Sequence, residues 1–441
     1  MPRVDRTVIG VFGRINAGKS TLMNLLTQQD TSIVDAAPGT TSDIKSAVME
    51  IHSLGPVRIM DTAGLDEESG LGEKKRRKTL SALEEVDLAI LVVDPVQSFL
   101  SGNLDVERRV GTLARKLNRN LCAVFNIHQD YWKKLENTGA TLEETVEYCR
   151  TALPDRSGTP YIQLDLTDPG GVSDLVAFVR ESGPAKSSKV ELLPFVGGSS
   201  PVLLHIPLDD ESPSGRLLRP QEMAMEYLLR LEIPIGLYRT DLKLARSSAS
   251  SISEAQRLKF MDFLESLGGR SGVQLVLTDS QAIDVLGRWV PEGIDLTTFS
   301  IMMIHSTSGG NLPLFARGAK ALDDLQKGDR VLIAEACNHD RIAEDIGTVQ
   351  IPEKLTAARP GIVIEHSFGR EFPDPSELNG YKVVIHCGGC MISTQKLAAR
   401  AARLAEADVP VTNYGIVLSW LEGPEVLKRV LKPWRKTGDP Q

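Results

Sequence analysis

The segment TVIGVFGRINAGKSTLMNLL, residues 7–26, constrains the fold more than any other part of the chain. An apolar run leads into a glycine-rich turn with the pattern G-x-x-x-x-G-K-S, and a run with helical spacing follows. Glycines let backbone N–H groups surround a phosphate, and the start of the next helix adds a positive dipole. The segment therefore predicts a strand, a phosphate-binding loop and a helix. A chance glycine turn is disfavoured because the strand and the helix flank it on the expected sides.

Each polar residue of this loop has an expected role. Lys19 should reach the β- and γ-phosphates, and the Ser20 hydroxyl should bind Mg²⁺. Further along, Thr41 in APGTTSD is expected to coordinate Mg²⁺, with Thr40 as the less favoured choice. Asp61 should support the metal through water, and the Gly64 N–H should sense the γ-phosphate. The residues predicted to bind nucleotide within the loop are Gly13, Asn16, Ala17, Gly18, Lys19, Ser20 and Thr21.

The order and spacing of these motifs resemble the translation-factor-like GTPases of the Era/TrmE group. Leu65 follows Gly64, so the glutamine that orients water in Ras-like enzymes is missing. In the TrmE-like group an asparagine at the position of Asn16 helps bind K⁺. The resemblance therefore implies a GTP hydrolase that is slow and stimulated by potassium. A second interpretation, that Asn16 only caps the turn, stays open.

The base-recognition elements depart from the usual pattern. A guanine site ends a strand with Asn-Lys-x-Asp, whereas this chain has Asn126-Ile127-His128-Gln129-Asp130. The lysine is absent and the carboxylate of Asp130 comes one place late. The next strand, YIQLDLTD, offers Asp165 instead of the usual Ser-Ala. Asn126 and Asp130 are the predicted base contacts, and guanine preference is in question.

Length and composition bound the rest of the molecule. A chain of 441 residues is too long for one ordinary core. The net charge of −8 argues against nucleic acid as a partner, and no apolar run reaches the roughly 20 residues that span a membrane. Five cysteines are an odd number and indicate a reducing, cytoplasmic location. We expect an α/β protein with a P-loop domain, a small α/β domain that is a candidate for dimerisation and a third α/β domain with a parallel sheet, at residues 1–185, 186–290 and 291–441.

The last of these domains contains an unusual group of residues. Cys337-x-His339 is followed, after 46 intervening residues, by His386-Cys387-x-x-Cys390, and both groups end predicted strands. A redox C-x-x-C pair would leave Cys337 and His339 unexplained. Structural zinc and a [4Fe–4S] cluster both accept three thiolates, and residue chemistry alone leaves the two open.

This cysteine pattern, behind a GTPase domain and a spacer domain, resembles the HydF family of [FeFe]-hydrogenase maturation GTPases over nearly the whole chain. Supporting stretches include PLDDESPSGRLLRPQ and LIAEACNHDRIAEDIG. The resemblance implies a homodimer that binds GTP, Mg²⁺, K⁺ and a [4Fe–4S] cluster. It implies cluster thiolates at Cys337, Cys387 and Cys390, with His386 or His339 as a labile fourth ligand.

The resemblance also implies partners. A transient diiron subcluster precursor, built by two radical-SAM maturases, would be received by the scaffold and delivered to apo [FeFe]-hydrogenase. The alternative is a TrmE/Era-like GTPase that acts on RNA and has a zinc-stabilised C-terminal domain. Such a protein should have a basic face, which the acidic net charge does not favour.

Overall fold

A computed structural model describes residues 7–27, 45–51, 55–62, 80–155, 158–183, 190–207, 217–269, 271–336, 345–369, 372–389 and 392–437. The chain divides into two compact units, Met1–Ser188 and Lys189–Gln441. Thr41, Gly64, Cys337, His339 and Cys390 lie outside the described residues.

The first unit is built on a six-stranded sheet with the order β2-β3-β1-β4-β5-β6. Only β2 is antiparallel to its neighbour; the other pairs are parallel. The strands are β1 Thr7–Phe12, β2 Lys45–Ile51, β3 Gly55–Asp61, β4 Leu88–Val93, β5 Asn120–Asn126 and β6 Tyr161–Leu164.

Helices connect the parallel strands of the first unit. Side chains alternate along β1, so Phe12 packs into one apolar cluster while Ile9 and Val11 pack into another on the opposite face. Strand β4 is buried along its whole length, as expected for a strand covered on both faces. The helices described over their whole length are Lys19–Thr27, Pro95–Ser101, Asp105–Lys116, Tyr131–Leu135, Leu142–Arg150 and Val172–Ser182, with a 3₁₀ turn at Pro169–Gly171.

The second unit contains two four-stranded sheets in which every pair is parallel. One has the order β10-β9-β7-β8 and the other β12-β11-β13-β14. The strands are β7 Val202–His205, β8 Ile235–Tyr238, β9 Leu275–Thr278, β10 Asp295–Thr298, β11 Arg330–Glu335, β12 Val363–Phe368, β13 Tyr381–His386 and β14 Val411–Asn413.

Helices cover these two sheets and share one large apolar core. The helices are Arg219–Arg230, Leu242–Ala245, Ser250–Gly268, Ile283–Trp289, Phe299–Thr307, Leu312–Gly318, Lys320–Asp323, Ile351–Ala358, Pro375–Leu378, Thr394–Glu406, Tyr414–Leu421 and Pro424–Leu431. Short turns of 3₁₀ helix lie at Ser280–Ala282 and Pro433–Thr437, and a π-helical turn lies at Ile346–Gln350.

The predicted α/β class and the parallel sheet of the C-terminal third are confirmed. The domain bounds remain predictions. Strand β10 lies beyond residue 290, in the predicted third domain, but it pairs with β9, which lies in the predicted second domain. Both strands therefore belong to one sheet. Among the described residues, no helix has both the length and the apolar character needed to cross a membrane.

His205 lies fully buried at the end of β7, between two threonine hydroxyls. Its Nδ1 is 2.9 Å from Thr278 Oγ1, and its Nε2 is 2.9 Å from Thr240 Oγ1. Burial lowers the pKa of His205 to about 4, below its ordinary value of 6.5. The folded protein therefore binds fewer protons than the unfolded chain between these two values.

We expect this histidine to make the second unit less stable as the pH falls. Between about pH 7 and about pH 5 the wild type should lose about 2 kcal/mol of unfolding free energy through His205. The variant His205→Gln keeps an amide between the two threonines but does not titrate. Urea unfolding followed by tryptophan fluorescence should show a weaker pH dependence in the variant. Equal pH dependence in both proteins would contradict the assignment.

Candidate functional site

The phosphate loop between β1 and the helix Lys19–Thr27 requires glycine at two positions. Gly13 has φ 144° and Gly18 has φ 105°, a region that side chains rarely adopt. A Cβ on Gly13 would lie 2.2 Å from the Val92 carbonyl oxygen, and a Cβ on Gly18 would lie 2.6 Å from Asn126 Nδ2. The loop is therefore packed directly against the ends of two neighbouring strands.

The polar side chains of the loop form hydrogen bonds within the loop and to the end of β3. The Lys19 ammonium donates to the carbonyls of Gly13, at 2.7 Å, and Arg14, at 2.5 Å. The Ser20 hydroxyl donates to Asp61 Oδ2 at 3.0 Å. Asp61 ends β3, which pairs with β1, so the sheet brings this carboxylate beside the loop. A hydroxyl and a carboxylate are the oxygen ligands that Mg²⁺ prefers.

Asn16 adopts a left-handed backbone conformation, with φ 62°. Asparagine is one of the few residues that accept this region readily, so the turn alone accounts for its presence. Both interpretations of Asn16 therefore remain: it shapes the turn, and it is available as an oxygen ligand for a cation.

Asn126 connects the phosphate loop to the base-recognition segments. Its Nδ2 donates to the Ala17 carbonyl at 3.1 Å, and its Oδ1 accepts the Leu166 N–H at 3.3 Å. The side chain is buried at the end of β5. This asparagine thus has a structural role that does not depend on which base is bound.

The two carboxylates that the sequence offers for base recognition, Asp130 and Asp165, lie in different environments. Asp130 is exposed and precedes the helix Tyr131–Leu135. Asp165 is half-buried, and its Oδ1 accepts both the N–H and the hydroxyl of Thr167, at 2.9 and 2.6 Å. Burial opposes ionisation of Asp165, but the hydrogen bonds from Thr167 and Gln129 outweigh it and lower its pKa. Asp165 is therefore an ionised acceptor at the strand end where sequence reasoning noted it.

A second candidate site lies in the other unit, where β11 and β13 end side by side. Their parallel register pairs Ala334 with His386, and the Cys387 N–H extends the ladder to the Ala334 carbonyl at 3.0 Å. The Ala336 N–H donates to Cys387 Sγ at 3.2 Å. This pairing brings Ala336, the last described residue before Cys337, beside Cys387.

The groups around the Cys387 thiol act on its pKa in opposite directions. Burial raises its pKa, and the negative charge of Glu335 acts in the same direction. Three groups lower the pKa of Cys387 because they stabilise the thiolate. They are the backbone N–H groups of Ala336 and Gly389 and the nearby charge of Arg400. N–H groups directed at sulfur are suited to a thiolate that binds a metal or a cluster.

His386 is fully buried beside this cysteine. Arg400 Nη1 lies 3.0 Å from its Nε2, and its Nδ1 lies 2.7 Å from the Cys387 carbonyl oxygen. Arginine can only donate, so Nε2 accepts and Nδ1 carries the proton. Burial, followed by the charge of Arg400, lowers the pKa of His386 to about 3, and the imidazole is neutral.

The remaining predicted ligands cannot be placed beside these residues. Cys337, His339 and Cys390 fall outside the described ranges, as do Thr41 and Gly64 of the nucleotide site. Within the described ranges, no cluster of three or more His, Cys, Asp or Glu side chains could hold a metal ion. Of the predicted cluster ligands, the structure places only Cys387 and His386.

Sequence reasoning missed Arg400, although a signal was present. In the helix Thr394–Glu406, Leu397 and Leu404 form a buried face, and Arg400 lies between them at spacings of three and four. A cation on an apolar face is uncommon and calls for a partner. Lys396, four residues earlier on the same helix, is buried as well.

Three family models match separate parts of the chain. A 50S ribosome-binding GTPase model matches residues 8–127. A hydrogen maturase F dimerization domain model matches residues 195–307, and a hydrogen maturase F tetramerization domain model matches residues 313–433. The two hydrogen maturase F models together cover more than half of the chain.

Curated relatives match only a part of the chain. A GTPase Der from Kosmotoga olearia is 33% identical over 127 residues, which are 28% of each protein. A tRNA modification GTPase MnmE from Geobacter sulfurreducens is 44% identical over 95 residues, 21% of each protein. The chain therefore spans less than a third of the length of these two relatives. A crystal structure of Aquifex aeolicus Era bound to GDP.AlF4- aligns with TM-score 0.31 and 16% identity, over 54% of this chain and 93% of that one.

Gly18 offers a direct test of the phosphate loop. Gly18→Ala would force a side chain into φ 105° and against Asn126, so we expect nucleotide affinity to fall more than about tenfold. Titration with a fluorescent guanine nucleotide measures the change. Gly139→Ala is the matched control, because Gly139 also has a positive φ but has no atom within 4 Å of a Cβ. Equal affinity in the wild type and both variants would show that the loop does not bind the phosphates.

Proposed function

This chain belongs to the hydrogen maturase F family, and on that premise we propose that it is a GTPase that carries an iron–sulfur cluster for hydrogenase maturation. The proposed cluster is a [4Fe–4S] cluster, and the proposed cargo is a diiron precursor of the hydrogenase subcluster. The precursor comes from two radical-SAM maturases and passes to apo [FeFe]-hydrogenase. The observation that supports the proposal is the pairing of β11 with β13, which brings Ala336, the residue before Cys337, beside Cys387.

The residues present fit a cluster bound by thiolates. Cys387 Sγ accepts a backbone N–H from the residue that precedes Cys337, and hydrogen bonds of this kind stabilise sulfur in its anionic form. Cys337, Cys387 and Cys390 would hold the cluster, and His339 or His386 would serve the fourth position. A bound cluster with one weakly held iron would supply an exchangeable coordination site.

The first unit supplies the nucleotide chemistry of the proposal. Lys19 holds the phosphates, and Ser20 with Asp61 supports Mg²⁺, consistent with the hydrogen bond between them. Thr41 and Gly64 would complete the site around the γ-phosphate. The base contacts proposed from the sequence are Asn126 and Asp130.

The proposed assembly and setting follow from the family and the sequence. The matched models are named for dimerization and tetramerization, which supports an oligomer, and we propose a homodimer as its basic form. The five cysteines, an odd number, support a reducing cytoplasm as the location.

We expect the anaerobically purified protein to contain about four irons per chain and to show a [4Fe–4S]⁺ EPR signal after dithionite reduction. Cys387→Ala should lose most of the iron and the signal, because it removes a thiolate. Cys122→Ala is the control, since Cys122 is a buried residue of β5 in the other unit. One zinc per chain with no signal after reconstitution would contradict the proposal and favour the RNA-acting GTPase with a zinc-stabilised domain.

Potassium activation tests the second role of Asn16. Glycine accepts the left-handed backbone of this position, so Asn16→Gly preserves the turn and removes only the side-chain oxygen. The ratio of GTP turnover in KCl to that in NaCl should exceed one in the wild type and fall to about one in the variant. Asn118→Gly is the matched control, since Asn118 has φ 51° on an exposed surface. A variant that keeps its potassium response would show that Asn16 serves only the turn.

A further inference from the structure

The segments that follow β5 and β6 lie side by side at one edge of the first sheet. The two strands are parallel neighbours, with Asn126 opposite Leu164. The Ile127 N–H donates to the Leu164 carbonyl at 2.8 Å, so the pairing continues past the end of β5. Residues 126–130 and 165–168 are all described. The end of the nucleotide site that faces the base is therefore complete in the structure.

This edge adjoins the phosphate loop. Asn126 Nδ2 donates to the Ala17 carbonyl at 3.1 Å, and Asn126 Oδ1 accepts the Leu166 N–H at 3.3 Å. Gly18 lies against both segments, since a Cβ there would be 2.6 Å from Asn126 Nδ2 and 3.2 Å from Leu166 Cδ1. A nucleotide whose phosphates lie in the loop therefore has its base beside the two strand ends.

The Asp165 carboxylate is held in one orientation at this edge. Its Oδ1 accepts the N–H of Thr167 at 2.9 Å and the hydroxyl of Thr167 at 2.6 Å. Its Oδ2 is shielded from water, and no donor in the described part of the chain meets it at normal hydrogen-bond length and angle. The Gln129 amide lowers the pKa of this carboxyl, but by less than either donor of Thr167. A shielded carboxylate oxygen without a full partner is unfavourable, which favours a ligand that brings N–H donors to it.

Asp130, the carboxylate that the sequence pattern favours, lies in a different environment. Its side chain is exposed and makes no capping hydrogen bond to the helix Tyr131–Leu135 that follows it. It also comes four residues after Asn126, whereas the usual guanine motif places the carboxylate three residues after the asparagine. An exposed carboxylate exchanges water for a ligand with little gain in free energy. Asp165 is therefore the better placed of the two acceptors.

A carboxylate at this edge discriminates between purines by hydrogen bonding. An ionised carboxylate only accepts. Guanine carries two donors side by side, N1–H and N2–H₂, whereas adenine has the N1 acceptor beside its N6–H₂ donor. A carboxylate that faces this side of the base binds both guanine donors and is repelled by adenine N1. A site built on such contacts strongly rejects an analogue that lacks the donors.

We propose, on the basis of the GTPase function above, that Asp165 is the residue that reads the base, in place of Asp130. The N1–H and N2–H groups of guanine donate to Asp165 Oδ2, while Oδ1 keeps its hydrogen bonds from Thr167. Asn126 fixes this carboxylate relative to the phosphate loop, because it binds both Ala17 and Leu166. A carboxylate after β6 thus supplies the guanine specificity that the segment after β5 lacks.

Asp165→Asn tests the assignment by a change of base preference. The N–H of Thr167 needs an acceptor, so the amide oxygen of the variant stays with Thr167 and its N–H₂ group faces the base. Xanthine has a carbonyl at C2, where guanine has its amino group, and so matches that donor. We expect the affinity for GTP to fall at least about tenfold and the affinity for xanthosine triphosphate to rise at least about tenfold. Titrations with ribose-labelled fluorescent GTP, xanthosine triphosphate and ATP measure both changes.

Asp130→Asn is the matched control, and it should leave all three affinities within about twofold of the wild type. A switch to xanthine in Asp130→Asn, or loss of GTP binding in Asp165→Asn without a gain for xanthine, would overturn the role of Asp165. Asp165→Ser is a second variant, which places at this position the serine that guanine sites usually have. It should lose most of the preference for GTP over ATP, and an unchanged preference would also overturn the proposal.

The outcomes separate this proposal from the function on which it rests. Wild-type protein that binds no GTP overturns both. Wild-type protein that binds and hydrolyses GTP, and whose Asp165 variants keep the same base preference, overturns only the role of Asp165. The iron content of these variants should equal that of the wild type, because Asp165 lies in the other unit from Cys387.

Discussion

The candidate site of the second unit depends on the parallel pairing of β11 with β13, because this pairing brings the end of β11 beside His386 and Cys387. Ala334 lies opposite His386, and the next hydrogen bonds join Cys387 to Ala334 and Ala336 to the Cys387 sulfur. A shift of one residue would move the side chains of His386 and Cys387 each to the other face of the sheet. Residues 331–335 of β11 and 383–386 of β13 are buried.

Both units position their polar residues by the same physical means. In each, parallel strands end at a common edge, and a helix begins just beyond it: Lys19–Thr27 in the first unit and Thr394–Glu406 in the second. Backbone N–H groups at such an edge favour anions, whether phosphate or thiolate. The two candidate sites thus differ in chemistry, but in both the polar residues lie at the edge where parallel strands end and a helix begins.

The sequence predicted the α/β class, the strands around both motifs and the glycine turn between β1 and the first helix, because these follow from local apolar runs and glycine patterns. It could not predict which groups the buried Arg400 contacts or that His386 directs Nε2 at it, since both depend on how the helix Thr394–Glu406 packs. The role of Asn126 as a link between Ala17 and Leu166 was hidden for the same reason. Tertiary contacts between segments far apart in the chain leave no short-range pattern.

The hydrogen bond to the Cys387 sulfur comes from the main chain of Ala336, and this has an evolutionary consequence. Every amino acid except proline presents the same N–H, so random substitution at position 336 leaves the donor in place. Because the side chain of Ala336 is itself buried, small residues are favoured at this position, and each of them keeps the donor to the sulfur.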